Sequence, residues 1–160
     1  MVYVTEAGLE DIEDLVPLAL EMERFYGADN KIDATVAAAR LRAALPLPAD
    51  GALLLARSAE PLGFAMLYRM FPGRDLEPVW YLKELFVVAA GRGQGVGERL
   101  MQAAAAAVVR RGGQRLEFTT GSENAAAQRF YDRLQIPVVG KVFYRLEDEG
   151  LERLARFTAT

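Results

Sequence analysis

The sequence contains neither cysteine nor histidine, and the two absences remove whole classes of chemistry. No disulfide can form, no thiol can act as a nucleophile, and no imidazole can serve as a base. A zinc site, which draws chiefly on thiolate and imidazole ligands, is not expected, and no other metal is implied. Proton transfer must fall to Glu, Asp, Tyr, Lys or water. An excess of positive charge is missing too: the formal net charge is -3, which argues against an electrostatic grip on nucleic-acid phosphates. Long apolar runs are also lacking. The longest, residues 103–109, falls far short of the roughly 20 residues that span a bilayer, so no membrane partner is expected. Residues 1–13 carry acidic side chains early, with no basic region and no apolar core before a small-residue cleavage site, so a cytoplasmic location is expected.

What is present reads as one globular domain over residues 1–160, with 52% apolar and 26% charged residues. A short strand at residues 2–4 precedes a helix marked by Leu9, Ile12, Leu15, Val16, Ala19 and Met22, with Pro17 expected to kink it. A second helix over 33–44 stops before Pro46 and Pro48, and Asp50-Gly51 marks a turn. Strands follow at 52–57, 62–69 and 80–88, the first two as an antiparallel hairpin and the third the richest in aromatic and β-branched residues. A helix over 96–111 closes at Gly112-Gly113. Then come a strand over 115–120, a helix over 124–134, a strand pair or a single bent strand over 138–146, and a short helix near Leu151, Leu154 and Ala155. The strand, helix and strand between residues 80 and 120 favour a parallel pair with a right-handed crossover inside a mixed α/β sheet.

The central chemical signal is Arg92-Gly93-Gln94-Gly95-Val96-Gly97, lying between a strand and a helix. A helix start leaves backbone N–H groups unpaired and carries a partial positive charge, which suits an anion. Glycines let a phosphate approach the backbone, and Arg92 offers a charged fork for its oxygens. Tight turns and close helix packing also use glycine for purely structural reasons. The spacing and the place past mid-chain differ from a nicotinamide-dinucleotide loop, and a Walker loop is excluded because no Gly-Lys-Ser/Thr is present.

Leu85-Phe86-Val87 followed by this loop resembles the signature of the GNAT family of N-acetyltransferases, a strand and then Gln/Arg-x-x-Gly-x-Gly/Ala. Asn124-Ala125-Ala126-Ala127-Gln128-Arg129-Phe130-Tyr131 is similar to the family's later Asn-x-x-Ala-x-x-x-Tyr segment. The resemblance runs through the whole chain in element order. It implies a mixed, mostly antiparallel sheet whose parallel strands, 80–88 and 115–120, split to admit the pantetheine arm of acetyl-CoA. It further implies that Leu85, Phe86 and Val87 bond that arm, that Arg92, Gly93, Gln94, Gly95, Val96 and Gly97 hold the pyrophosphate, and that Asn124 and Ala127 reach the cofactor from the next helix. Asn124 is equally a good N-cap. A homodimer is common among such proteins.

The reaction implied is acetyl transfer to a small-molecule amine, by direct attack in a ternary complex because no cysteine can carry an acyl group. By resemblance Tyr131 protonates the departing thiolate; the other reading is that Phe130-Tyr131 packs its helix. Glu84, a carboxylate inside an apolar strand, is the candidate base, with pairing to a neighbouring Lys or Arg as the alternative. Residues 80–87 and 63–68 look most like the polyamine-type acetyltransferases and their diamine or amino-acid relatives, but those carry two adjacent acids where this chain has Lys83 and Glu84. Gln135-Ile136-Pro137 also departs from the family, which usually has Gly-Phe or Gly-Ala there. Glu23, Phe25, Tyr26, Asp29, Asp75 and Glu77 are acceptor-side candidates suited to a cation, or else a solvated surface. Two further readings share the fold: a regulatory acyl-CoA-binding module without chemistry, and an acetyltransferase of protein N-termini or lysines.

Overall fold

In a computed structural model, residues 1–27, 32–45 and 51–156 are described. Pro46, Pro48, Asp50 and the acceptor candidate Asp29 lie outside them. Two compact units are formed, Met1–Gly121 and Ser122–Thr160, and each is treated by itself.

The first unit opens with β1 (Tyr3–Glu6) and α1 (Ile12–Phe25). Asp11 holds the approach to α1 by accepting a hydrogen bond from the Gly8 amide at 2.8 Å. Glu13 and Asp14 in the first turn favour the positive end of the helix. Pro17 is accommodated inside α1. The second helix, α2 (Ala34–Ala44), begins at Asp33, whose carboxylate accepts from the Val36 amide at 2.8 Å. That is the N-cap role for which a short acidic side chain is well suited. α2 packs chiefly on α1.

The sheet follows: β2 (Gly51–Arg57), β3 (Pro61–Met70), β4 (Val79–Val87) and β5 (Leu116–Glu117), in the order β1-β2-β3-β4-β5. All neighbours are antiparallel except β4 and β5, which are parallel. Between those two strands runs α3 (Val96–Arg110). Strand alternation separates the two faces. A Cβ placed on Gly63 would lie 3.4 Å from Leu100 of α3, so Gly63, Ala65 and Leu67 face α3, while Phe64, Met66 and Tyr68 face the side where α1 lies. α3 buries Val96, Leu100, Met101, Ala104, Ala107 and Val108, and Ala65 and Leu67 are fully buried against this side. Trp80 sits where the chain leaves α3: a Cβ on Gly113 would come within 2.5 Å of its indole, so only glycine fits there.

Arg57 at the end of β2 ties the sheet to the start of α1. It bonds Asp11, and its Nε donates to Asp14 at 2.7 Å. Burial opposes the charged guanidinium, but hydrogen bonds to Asp14 and Asp11, together with their charges, outweigh it and hold its pKa above the ordinary value.

β5 is shorter than the 115–120 expected. Its ladder with β4 covers only Trp80↔Leu116 and Tyr81↔Glu117. It ends just before β4 bulges at Lys83, and a bulge bends a strand away from its neighbour.

The second unit holds α4 (Ala125–Arg133) and α5 (Asp148–Ala155). Residues 138–146, expected as strand, have no regular structure. Their apolar pattern suits a strand, yet a strand is stable only when a neighbour completes its ladder, and here Val138 is 90% and Tyr144 87% exposed. From residue 122 on, no described side chain is buried.

Candidate functional site

The site grows from one irregularity in β4. Successive side chains on a regular strand face opposite sides. Here Met66 lies opposite Glu84 but Leu67 lies opposite Leu82, leaving Lys83 as an extra residue. Lys83 and Glu84, adjacent in sequence, therefore line the same cavity. Glu84 is half-buried and accepts a hydrogen bond from the Tyr26 hydroxyl at 2.8 Å. Its partner among the described residues is thus a phenol at the end of α1, not a Lys or Arg. The cavity, about 280 Å³, is walled by Leu15, Ala19 and Met22 of α1 and Leu41 of α2. Leu53, Phe64, Met66 and Tyr68 of the sheet complete it.

Next to it, the end of α1 meets the loop that follows β4. The Glu21 carboxylate accepts from the Ala89 amide at 2.8 Å. Phe25 stands edge-on to Phe86 at 6.0 Å, and the Arg92 guanidinium lies 4.8 Å above the Phe25 ring while its Nε donates to the Val87 carbonyl at 3.1 Å. Gln94 donates to the Ala90 carbonyl at 2.6 Å. Arg92 therefore uses one nitrogen to shape the loop.

Gly93 and Gly95 have φ of +74° and +75°, a left-handed backbone that side-chain-bearing residues rarely adopt. Among the described residues nothing lies within 4 Å of where a Cβ on either would be, so the loop presents bare backbone to open space. α3 starts immediately afterwards, with Gly95 as its N-cap and, among the described residues, no side-chain cap on its first amides. Uncapped amides, the positive helix end and room beside them are what a diphosphate requires. Beyond Tyr81, the β5-side edge of β4, which includes Leu85, Phe86 and Val87, has no strand partner among the described residues. An extended arm with carbonyl and amide groups can pair there as a strand does.

The sequence pattern of the Acetyltransferase (GNAT) family matches residues 17–135. The chain belongs to that family. GNAT enzymes transfer acetyl groups and generally take them from acetyl-CoA. The uncharacterized N-acetyltransferase YhfO of Bacillus subtilis (strain 168) is 28% identical over 130 residues, which are 81% of this GNAT chain and 86% of the relative. An integron cassette protein from the mobile metagenome of V. cholerae, VCH_CASS6, superposes with a TM-score of 0.88 at 31% identity, covering 98% of each chain. An aminoglycoside acetyltransferase from an uncultured soil metagenomic sample, solved with trehalose, shares the fold at a TM-score of 0.75 and 17% identity, over 91% of this chain and 97% of that one.

In this GNAT acetyltransferase the first unit holds Glu84, the Leu85–Val87 edge and the loop 92–97. Asn124, Ala127 and Tyr131 lie in the second. Asn124 caps α4 by accepting from the Ala127 amide at 3.1 Å. Tyr131 is half-buried on α4, its ring 5.1 Å from that of Phe130. Of the acceptor-side candidates, Tyr26 meets Glu84 and Phe25 meets Phe86, whereas Glu23, Asp75 and Glu77 do not line the cavity. Leu15, Ala19 and Met22 carry the helical spacing of an ordinary core stripe, which gives no hint that they wall a cavity. Among the described residues no group of three or more acidic side chains is arranged for a metal ion, and no helix is long and apolar enough to cross a membrane.

Proposed function

We propose that the chain moves an acetyl group from acetyl-CoA to the primary amine of a small molecule, by direct attack while both substrates are bound. The observation that carries this reading is the open glycine loop at the head of α3, beside a β4 edge free to pair and a carboxylate on the adjoining cavity. The thioester supplies an activated carbonyl and a thiolate leaving group. Amides from Arg92 to Gly97 hold the diphosphate, and Leu85 to Val87 align the arm. Glu84 takes the proton of the attacking nitrogen as the C–N bond forms and the C–S bond breaks, and the Tyr131 hydroxyl gives its proton to sulfur. The products are an N-acetyl amide and a free thiol, and solvent then restores both side chains. Asn124 and Ala127 bind the donor from α4, and the enzyme acts in the cytoplasm.

We also propose a homodimer, supported by the exposed apolar residues Val138, Val142, Phe143 and Tyr144.

Titration calorimetry with CoA and acetyl-CoA, followed by thiol release with a panel of amines, amino acids and aminoglycosides, tests the assignment. Binding in the micromolar range and turnover with at least one amine are expected, at about −8 kcal/mol for the binding step. Absence of CoA binding overturns the whole reading; binding without turnover overturns the enzymatic part. Sedimentation of the same samples at the mass of a single chain removes the dimer.

A further inference from the structure

The cavity beside Glu84 has a chemistry of its own, and it narrows the acceptor. Its walls are hydrocarbon, thioether and aromatic: Leu15, Met22, Leu41, Phe64 and Met66 among them. Among the described wall residues the one hydroxyl, that of Tyr68, donates to the Met66 sulfur at 3.1 Å. Among the described residues, charge on its lining is confined to Glu84 and Lys83. Glu84 is engaged by Tyr26, whereas Lys83 is exposed and makes no ion pair among the described residues. The two charges cancel, so the rim holds one anionic and one cationic position side by side.

A polyamine or an aminoglycoside fits this poorly. Each brings ammonium groups beyond the reacting one, and a desolvated ammonium needs an anionic partner. Among the described residues the cavity offers none after Glu84, and Lys83 repels them. A volume of about 280 Å³ is at the small end for ligand pockets, which run from roughly 300 to 1,000 Å³. What complements an acid, a base and an apolar chamber of that size is a small molecule with one amine, one carboxylate and one apolar side chain.

We propose that the acceptor is an apolar α-amino acid, its nitrogen at Glu84, its carboxylate on Lys83 and its side chain among the α1 and β3 residues of the cavity. This rests on the acetyl-transfer reading above. It assigns a specificity role to Lys83, which stands where the polyamine-type relatives carry a second acid. The bulge is what makes the role available, because on a regular strand Lys83 and Glu84 would point to opposite faces.

The test compares kcat/KM, by thiol release, for leucine, methionine and phenylalanine, for glycine, for 2-phenylethylamine and 3-methylbutylamine as the decarboxylated counterparts, and for spermidine and kanamycin. Each methylene that enters the cavity should raise kcat/KM by about fourfold, the equivalent of about 0.8 kcal/mol, so leucine should exceed glycine by well over tenfold. Phenylalanine should exceed 2-phenylethylamine by about tenfold, the lower end of what a charge-assisted hydrogen bond contributes. Lys83→Gln should cut that ratio to about one, chiefly through the KM for phenylalanine, and Lys83→Arg, which keeps the charge, should restore most of it. Equal rates for acid and amine, or a ratio unmoved by Lys83→Gln, overturn the carboxylate contact. A preference for spermidine or kanamycin, or for glycine over leucine, overturns the proposal outright. In each of those cases CoA still binds and some amine is acetylated, which separates this failure from failure of the acetyl-transfer reading.

Discussion

Glu84→Gln is expected to lower kcat by about 1,000-fold, within the 10²- to 10⁴-fold range of general acid–base catalysis, while the Kd for CoA stays within about threefold of the parent. The glutamine has the size of the residue it replaces, and its amide oxygen can still accept the Tyr26 hydroxyl that now lies 2.8 Å from the carboxylate. It cannot take a proton near neutral pH. The substitution therefore removes the basic function with little change of shape. Single-turnover measurements with saturating acceptor read the chemical step, and thermal melts confirm that the variant folds. A kcat within about threefold of the parent would show that the amine loses its proton elsewhere. Tyr26→Phe tests positioning instead: with Glu84 intact but no hydroxyl to orient it, kcat should fall by about tenfold, the worth of one hydrogen bond to a charged group.

Gly95→Asp should weaken CoA binding by about 100-fold while lowering the melting temperature by only a few degrees, the cost of a side chain in the left-handed region. The position has φ +75° and open space around it, and it caps α3. Asp is one of the few side chains that tolerate a left-handed backbone, and a carboxylate at a helix start is favourable. The fold should therefore accept it. A diphosphate should not, because the new charge occupies the amides it needs and repels its oxygens. Gly95→Asn has nearly the same shape without the charge, and should lose about tenfold or less. Calorimetric Kd values for the pair separate charge from crowding, and near-parent affinity in the Asp variant removes the diphosphate from this loop.

Much of the architecture could be read from residues with one strong local preference. Asp33 and Asn124 both cap helices as their short polar side chains dictate. Gly93 and Gly95 both adopt a left-handed backbone that glycine enters at little cost. The strands at 51–57, 61–70 and 79–87 match apolar stretches that had to be buried. What was not legible depends on partners distant in sequence. The apolar pattern of residues 138–146 resembles that of β3, but β3 has strand neighbours on both sides and 138–146 pairs with no strand among the described residues. The cavity was hidden because Leu15, Ala19 and Met22 would show the same spacing had the space beside them been filled. The bulge at Lys83 was hidden too, since it is a property of register between two strands and leaves no mark on either alone.

α2 contributes Leu41 to the cavity while resting chiefly on α1, and takes little part in holding the sheet together. The parts proposed to engage the thioester are set in β4 and the start of α3, locked into the core by Trp80, Val96 and Leu100. Division of labour of this kind lets a lineage exchange one client molecule for another by remodelling a peripheral helix, with no penalty to the engine that drives the transfer.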